Sequence, residues 1–278
     1  MTTELDFSVS VVVYKNSPDT LKKLFECISK CGLNYVIYVI DNSPTMEIEG
    51  ICMGQRLRYI FNNKNIGFGA AHNIAVKKAL WLSKYHLIIN PDVSFNAEAI
   101  SKIFNYMENN SGVGLLMPKI LYPDGSLQYL CRLLPTPIDL FLRKVKIPYF
   151  SERQNFRYEL RFTSYNQIMS APYLSGCFMF IRNEVFKKIG FFDERFFMYL
   201  EDVDLSRRIH KYYRTVYYPA SVIYHEYGRD SGKDIRLFLK LIISAVKYFN
   251  KWGWFFDKER SLINDRTLQK IQTDTLEK

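Results

Sequence analysis

Several features that would settle the class of this protein at once are missing from its sequence. The five cysteines are odd in number and form no CxxC pair, so neither a zinc pattern nor a disulfide framework is legible. No uncharged apolar run approaches the roughly 20 residues of a membrane-spanning helix. The start, MTTELDF, lacks the basic and apolar regions of a secretory leader. These absences predict a cytoplasmic protein with reduced thiols that is soluble or attached to a membrane surface.

What is present favours a folded domain with anionic partners. The chain has 278 residues, of which 48% are hydrophobic, including 21 Phe and 20 Tyr. This length and content suit one large α/β domain, or one domain with a small appendage. The formal charge is +10, and the pI is near 9.2. Such a balance favours phosphates, nucleic acid or an acidic membrane surface as partners.

The first half of the chain alternates strand and helix signals. Buried-strand patterns cover 7–14, 35–41, 57–62 and 87–89, and helical patterns follow Ser17-Pro18 and the Gly-containing turn near Gly67. This alternation predicts a mostly parallel central sheet flanked by helices, with ligands at the carboxyl ends of the strands. Asp41 and Asp92 both fall at such ends. Ordinary turn chemistry of Asn90-Pro91-Asp92 is the alternative explanation for Asp92.

The second half contains a longer irregular stretch. A strand from 113 and a hairpin with PDG as its turn precede it, and strands over 173–183 and 215–227 follow. Residues 131–171 are basic and aromatic with a poor pattern, and we expect an acceptor-side lid or insertion with short helices there.

The blocks SVVVYKN, VIDNSP, NNKNIGFGAAHN, INPDV and GFFDERFFMYLEDVDL occur in this order between about residues 8 and 226. Together they closely resemble the family 2 glycosyltransferases, within them the rhamnosyltransferase-like branch that builds bacterial surface polysaccharides. The last block is long and specific, whereas the others are short.

The resemblance implies a GT-A nucleotide-diphospho-sugar transferase fold, inversion at the anomeric carbon and a divalent cation, magnesium or manganese. It implies that Asp41 contacts the nucleotide base, that Asp92 and His225 bind the metal, and that Asp202 is the general base. An Asn, Asn90, stands where the family's Asp-x-Asp motif often has its first acid. The nucleotide-sugar site implied by the resemblance comprises Val13, Tyr14, Asp41, Asn65, Gly67, Asn90 and Asp92.

The residue types suit that chemistry. Magnesium takes one or two carboxylates and completes its shell with phosphate oxygens and water, and a histidine suits manganese. A buried core histidine is the alternative for His225. Asp202 follows five bulky residues, so desolvation should raise its pKa and make it a better base, with Glu201 as the substitute. Alternatively, Glu201 and Asp202 form an acidic helix start, with Asp204 as a surface acid.

The C-terminal segment has a helical pattern. Ile235, Leu239, Ile242, Val246 and Phe249 share one face, basic residues lie elsewhere, and an aromatic cluster at 252–256 follows. This helix either packs on the catalytic domain or attaches to an anionic membrane surface, and each face could do one. We therefore divide the chain into a catalytic domain, 1–230, and a helical tail, 231–278.

The expected function is transfer of L-rhamnose from dTDP-L-rhamnose to a saccharide acceptor, carried on a polyprenyl diphosphate, in O-antigen or capsule-type polysaccharide synthesis. The enzyme would work in the cytoplasm, peripherally at the inner face of the cell membrane. A UDP-sugar donor is the first alternative. A metal-dependent nucleotidyltransferase and a nucleic-acid-binding protein remain open, although strand-end carboxylates would repel a phosphate backbone unless a metal intervened, so we expect no nucleic-acid partner. A sugar-binding domain would need neither metal nor nucleotide.

Overall fold

A mixed sheet forms the centre of the protein. The computed structural model describes residues 5–142, 148–226 and 235–276. Their strands are β1 (Leu5–Val13), β2 (Tyr35–Asp41), β3 (Leu57–Phe61), β4 (Ser83–Ile89), β5 (Val93–Phe95), β6 (Val113–Leu121), β7 (Cys131–Arg132), β8 (Met169–Ser170), β9 (Tyr173–Leu174), β10 (Phe178–Arg182) and β11 (Arg214–His225).

Helices cover the sheet and continue to the end of the described chain. They are α1 (Pro18–Ser29), α2 (Phe68–Ala79), α3 (Glu98–Glu108), α4 (Pro137–Leu142), α5 (Pro148–Tyr158), α6 (Asn183–Ile189), α7 (Glu201–His210), α8 (Ile235–Trp252) and α9 (Lys258–Leu276). Short 3₁₀ turns cover Glu49–Cys52 and Arg161–Thr163. None of these described helices combines the length and apolar content that crossing a bilayer requires.

The strand order explains why strand-end residues meet. The main sheet runs β3-β2-β1-β4-β10-β6-β11-β5, and β8 pairs with β11. The pairs among β1 to β4 are parallel, as is the β6–β11 pair, whereas β10, β5 and β8 run antiparallel to their neighbours. Val13 is level with Asp41, and Asp41 with Phe61. The carboxyl ends of the first strands therefore form one edge, as predicted.

Local signals in the sequence account for the boundaries of several elements. Ser17 caps α1 by accepting from the Thr20 amide at 3.3 Å, and Pro18 opens the helix. Gly32, at φ 72°, lies in the turn that follows α1. In β11 the register shifts between Tyr218 and Val222, at a stretch that contains Pro219 and therefore lacks one ladder donor.

Two predicted boundaries differ from the structure. The strand predicted over 173–183 is divided into β9 and β10, because the Gly176 amide donates to the Asp202 side chain at 2.9 Å instead of to a strand. The first strand ends at Val13. The predicted hairpin turn at PDG is present, since the Gly125 amide donates to the Tyr122 carbonyl at 2.9 Å, but the ladder beside it is one bridge, between Leu121 and Leu127.

The C-terminal helices pack onto the catalytic part of the chain. Tyr248 and Phe249 of α8 are buried with Phe196, Leu200 and Val203 in a second apolar cluster. Arg207 of α7 is fully buried and makes a bidentate ion pair with Asp257, with N–O distances of 2.7 and 2.9 Å. The predicted domain boundary at 230/231 lies outside the described residues, and part of the predicted lid, 143–147, does too.

Candidate active site

Asp41, the last residue of β2, is fully buried and held on both oxygens. Oδ1 accepts from the Ser43 amide at 2.8 Å, and Oδ2 accepts from the Tyr59 hydroxyl at 2.7 Å. Burial and this contact raise the pKa of Tyr59, so the phenol stays protonated and donates. Each carboxylate oxygen of Asp41 keeps a second lone pair, but the side chain has no exposed surface, so a nucleotide base reaches it only if a neighbouring side chain moves aside.

A chain of asparagines joins β2 to the turn before α2. The side-chain amide of Asn62 donates from Nδ2 to Asn42 Oδ1 at 2.8 Å, and Asn65 Oδ1 accepts from the backbone amide of Gly67 at 3.0 Å. Asn42 Nδ2 lies 3.4 Å from Asn65 Oδ1 and 3.3 Å from the Gly67 carbonyl. Asn65 and Gly67, which were predicted to line the nucleotide site, thus belong to one hydrogen-bond network with Asn42, the residue that follows Asp41.

Gly67 is required by the backbone. Its φ is 93°, and a Cβ there would lie 2.4 Å from the carbonyl oxygen of Phe197. The next amide, that of Phe68, donates to the same carbonyl at 2.9 Å. The turn between β3 and α2 (65–68) therefore contacts the backbone of 193–200, the segment that leads into α7.

The end of β1 contributes one accessible side chain to the predicted site. Val13 is buried, and its carbonyl accepts from the Asn42 amide at 2.9 Å. Tyr14 is half-exposed, and Lys15 has φ 59°, which is costly for a residue with a side chain. Of the two predicted residues, Tyr14 can meet a ligand with its ring, whereas Val13 supports the edge from below.

Asp92 and His225 are brought together by the pairing of β5 with β11, in which His225 is level with Val93. Asp92 Oδ1 lies 3.4 Å from His225 Nε2 and has no hydrogen bond among the described residues. Asn90 Nδ2 lies 3.3 Å from the same nitrogen, and Gln128 Oε1 lies 3.1 Å from His225 Nδ1. Burial lowers the pKa of His225, but its contacts with Cys177 and Asp92 outweigh this, and the net shift is upward.

Asp92 and His225 fit a divalent cation only if other groups supply the remaining ligands. Among the described residues, no three His, Cys, Asp or Glu side chains lie close enough together to hold a metal ion. Asp92 and His225 supply one oxygen ligand and one nitrogen ligand. Oδ1 of Asp92, which lacks a hydrogen bond among the described residues, is available to coordinate a metal ion. Such a pair leaves the remaining positions for diphosphate oxygens and water, which is how magnesium and manganese are usually held next to nucleotides.

Asp202 and Glu201 begin α7 and differ in their surroundings. Asp202 accepts from the Gly176 and Val203 amides, both at 2.9 Å, and from the Tyr173 hydroxyl at 3.2 Å. Glu201 is buried, and its Oε2 has no hydrogen-bond partner in the part of the chain that the structure describes. Burial and the charge of Asp202 raise the pKa of Glu201 to about 8. Burial also raises the pKa of Asp202, and the two amides act against that rise.

The two carboxyl groups therefore carry one negative charge between them, and it lies on Asp202. Glu201 holds a proton at neutral pH because burial and the charge of Asp202 outweigh the backbone amides of Tyr199 and Glu201, whereas Asp202 has three donors that favour the carboxylate. Asp202 is also the partly exposed member of the pair. A carboxylate with a raised pKa and an open side has the properties of a general base.

Residues 176–177 connect this carboxylate to the segment that carries Asp92. The Gly176 amide binds Asp202, and the next carbonyl, that of Cys177, accepts from the Asn90 amide at 3.0 Å. A Cβ at Gly176 would lie 3.2 Å from the Cβ of Asp202. The close approach explains why a glycine stands here, and it fixes Asp202 relative to the carboxyl end of β4.

The sequence patterns missed two residues next to Asp202. Tyr173 donates to Asp202, and Arg132 Nη1 donates to the Tyr173 hydroxyl at 3.3 Å. Both lie in the β7–β9 pair and are buried. Arg132 belonged to the stretch that was expected to be a lid, where no periodicity marked it. Only its charge in an otherwise apolar CRLL run could have drawn attention to it.

One alternative from the sequence is wrong. Asp204 is not a surface acid, because it is fully buried and accepts from Trp252 Nε1 at 2.8 Å and Arg208 Nε at 2.9 Å. The predicted apolar face of α8 is divided along its length: Phe249 at its C-terminal end is buried, whereas Ile235, Leu239 and Ile242 are exposed.

Comparison with known proteins gives consistent results. Residues 8–190 match the family model described as "Glycosyl transferase family 2". An "N-acetylglucosaminyl-diphospho-decaprenol L-rhamnosyltransferase" of Mycobacterium tuberculosis is 28% identical over 210 residues, which are 70% of this chain and 66% of that protein. "Rhamnosyltransferase WbbL" of Escherichia coli K12 is 25% identical over an aligned length of 282 residues, gaps included, and the alignment covers 95% of this chain and 97% of that protein.

A solved structure shares the fold. GalNAc-T7, in a crystal structure with UDP, GalNAc and Mn²⁺, aligns with a TM-score of 0.63 at 16% identity, over 94% of this chain and 50% of that one. The chain thus spans half of GalNAc-T7 and 66% of the mycobacterial relative. The predicted GT-A fold is confirmed by this likeness and by the family match.

Proposed function

The chain belongs to glycosyl transferase family 2, and from that premise we propose that it transfers L-rhamnose from dTDP-L-rhamnose, with inversion, to a saccharide acceptor carried on a polyprenyl diphosphate. The observation that carries the proposal is the unequal carboxyl pair at the start of α7, a protonated Glu201 beside an ionisable Asp202. The names of two rhamnosyltransferase relatives support this donor, and that of the mycobacterial one supports a lipid-linked acceptor.

In the proposed reaction Asp202 accepts the proton of the acceptor hydroxyl. The acceptor oxygen forms a bond to the anomeric carbon as the bond from that carbon to the diphosphate breaks, so inversion needs one base and no covalent intermediate. Glu201, being neutral, keeps a second negative charge away from the diphosphate. Tyr173 and the Gly176 amide orient the carboxylate of Asp202.

The donor occupies the carboxyl edge of β1 to β4 in this proposal. Asp41 and Asn65 recognise the base and ribose, and Tyr14 covers them. Asp92 and His225 hold a divalent cation, which neutralises the diphosphate leaving group when bound. Magnesium and manganese both fit an oxygen ligand and a nitrogen ligand, and the Mn²⁺ in the GalNAc-T7 structure favours manganese.

A donor screen tests this proposal. Thermal unfolding is followed with dTDP-L-rhamnose and with UDP-sugars, each with and without Mn²⁺. A ligand at 100 times its Kd adds about 2.7 kcal/mol to the free energy of unfolding, so we expect dTDP-L-rhamnose with Mn²⁺ to raise the Tm by several degrees. A shift with UDP-sugars alone would replace the donor. No shift with any nucleotide sugar would contradict the function, and diphosphate release from a nucleoside triphosphate would indicate a nucleotidyltransferase.

We further propose that the enzyme sits peripherally on the inner face of the cell membrane. A row on α8, Ile235, Leu239, Ile242, Ile243 and Val246, is exposed, and so are Phe255 and Phe256 after the helix. Each Lys or Arg close to an anionic surface contributes about 1 kcal/mol, and α8 carries Arg236 as well as this row. Trp252 is excluded from the attachment surface, because it packs over Arg207 at 4.0 Å.

Vesicle sedimentation tests the attachment. We expect binding to phosphatidylglycerol vesicles at low salt, release at high salt and weak binding to phosphatidylcholine. Leu239→Ser with Ile243→Ser should weaken binding and leave donor affinity unchanged. The matched control is Trp81→Ser, because Trp81 is an exposed aromatic residue just before the amino-terminal end of β4. Equal sedimentation of the double variant and the wild type would contradict the attachment.

A further inference from the structure

The segment that carries the proposed base is strained. Tyr199 and Leu200, which directly precede α7, have φ values of 70° and 66°. A left-handed backbone is strained for a residue with a side chain, and it persists only where the surroundings hold it. Leu200 is the N-cap of α7, and Asp202 lies two residues later. The position of the Asp202 carboxylate therefore depends on what holds residues 193–200.

One face of α8 makes a row of polar contacts with this segment. Ser244 Oγ donates to the Met198 carbonyl at 2.7 Å. Lys247 Nζ donates to the Arg195 carbonyl at 2.6 Å. Together with Lys251, described next, Ser244 and Lys247 are spaced three and four residues apart along the helix, as residues on one face must be. Because two of these acceptors are backbone carbonyls, the contacts constrain the chain path itself.

Lys251, one turn further along the same face, makes the strongest of these contacts. Its Nζ lies 2.8 Å from Asp193 Oδ2 and 2.6 Å from Asp204 Oδ1. Asp193 begins the segment, and fully buried Asp204 follows the base by two residues. One cation thus joins the two ends of the stretch that contains the strained residues and Asp202. A charge-assisted contact to a carboxylate is worth more than a neutral hydrogen bond.

We propose that Lys251 is a positioning residue for sugar transfer, which, with Ser244 and Lys247, holds the strained segment 193–204 so that Asp202 faces the acceptor hydroxyl. The proposal rests on the function proposed above. It assigns the C-terminal helix a role in the reaction beside that of its exposed apolar row. Lys251 does not touch the reacting atoms, and it acts through Asp193 and Asp204.

The test compares Lys251→Met, Lys251→Arg and a control, Lys258→Met, an exposed lysine of α9. A displacement of about 1 Å at a catalytic group can cost up to about 100-fold in rate. We expect Lys251→Met to lower kcat about tenfold and to change the KM for the nucleotide sugar less than twofold. Lys251→Arg should recover most of kcat, and Lys258→Met should match the wild type. Unchanged kcat, or equal losses of kcat and donor affinity without rescue by Arg, would overturn the proposal.

Two further measurements keep the test decisive. If Lys251→Met does not fold, Ser244→Ala should lower kcat about threefold with unchanged donor affinity, and wild-type kcat in that variant would overturn the proposal. Amide hydrogen exchange of 193–204 should be faster in Lys251→Met, or in Ser244→Ala, than in the wild type, with α2 unchanged. If the wild type transfers no sugar, the proposed function fails, but equal exchange in the variant and the wild type would still refute the positioning role.

Discussion

Replacing Glu201 by Gln should stabilise the protein in a pH-dependent way. The pKa of this buried carboxyl rises from 4.5 to about 8, chiefly by burial and then by the charge of Asp202. Between these two values the folded state holds a proton that the unfolded chain has lost, so the wild type loses stability as pH rises. Gln resembles the protonated acid and does not titrate.

The size of the effect follows from the shift. Each pH unit above 4.5 costs about 1.4 kcal/mol, so the wild type bears on the order of 3 kcal/mol at pH 7. The Gln amide would meet the unpaired surroundings of Oε2, which reduces the gain. We therefore expect Glu201→Gln to be more stable by roughly 1 to 3 kcal/mol at pH 7. The difference should shrink towards pH 4.5 and level off above pH 8.

Urea unfolding at pH 5, 6, 7 and 8 measures this difference directly. Glu98→Gln is the control, because Glu98 is exposed on α3 and its pKa is lowered by Lys102, so it should show no such rise. Transfer activity should survive in Glu201→Gln, since the base is Asp202. A stability difference that does not change with pH would show that Glu201 is not held protonated, and loss of activity would make Glu201 the base.

Three other changes follow from the same geometry. Asp92→Asn keeps the turn propensity but removes the charged ligand, so metal-dependent nucleotide affinity in calorimetry should fall at least tenfold with little change in Tm; unchanged affinity with a lower Tm would favour the turn explanation. Gly67→Ala places a methyl against the Phe197 carbonyl and should cost about 1 to 3 kcal/mol in urea unfolding; wild-type stability would refute the close approach. Phe255→Ser with Phe256→Ser should weaken vesicle binding without lowering Tm, and a lower Tm would show that these rings are packed.

Strand-end chemistry was predictable because periodicity and turn residues are local. Asp41 and Asp92 were expected at one edge of a parallel sheet, and the structure has Asp41 at the end of β2 and Asp92 in the short turn between β4 and β5. The pairing of Asp92 with His225 was predicted only through the resemblance. The contact arises because β11 returns antiparallel to β5, and the pattern of one strand carries no information about which neighbour it pairs with.

Contacts between distant segments were beyond the sequence. Nothing local shows that the Gly176 amide leaves the strand direction to bind Asp202, which divides the predicted strand 173–183. Asp204 has the spacing of a solvent-facing acid at a helix start, yet Trp252, 48 residues later, covers it. Long-range burial overrides the local preference for water in such cases. For the same reason Arg132, in a stretch without periodicity, was not recognised beside Tyr173.

Asp202→Asn tests the central claim most directly. The rate of sugar transfer and the donor affinity are measured side by side for this variant and the wild type. A positioned general base contributes roughly 10²–10⁴-fold, so we predict that turnover falls by at least 100-fold while the nucleotide sugar binds with unchanged affinity. Turnover within tenfold of the wild type, with the donor bound normally, would contradict the assignment of Asp202 as the base.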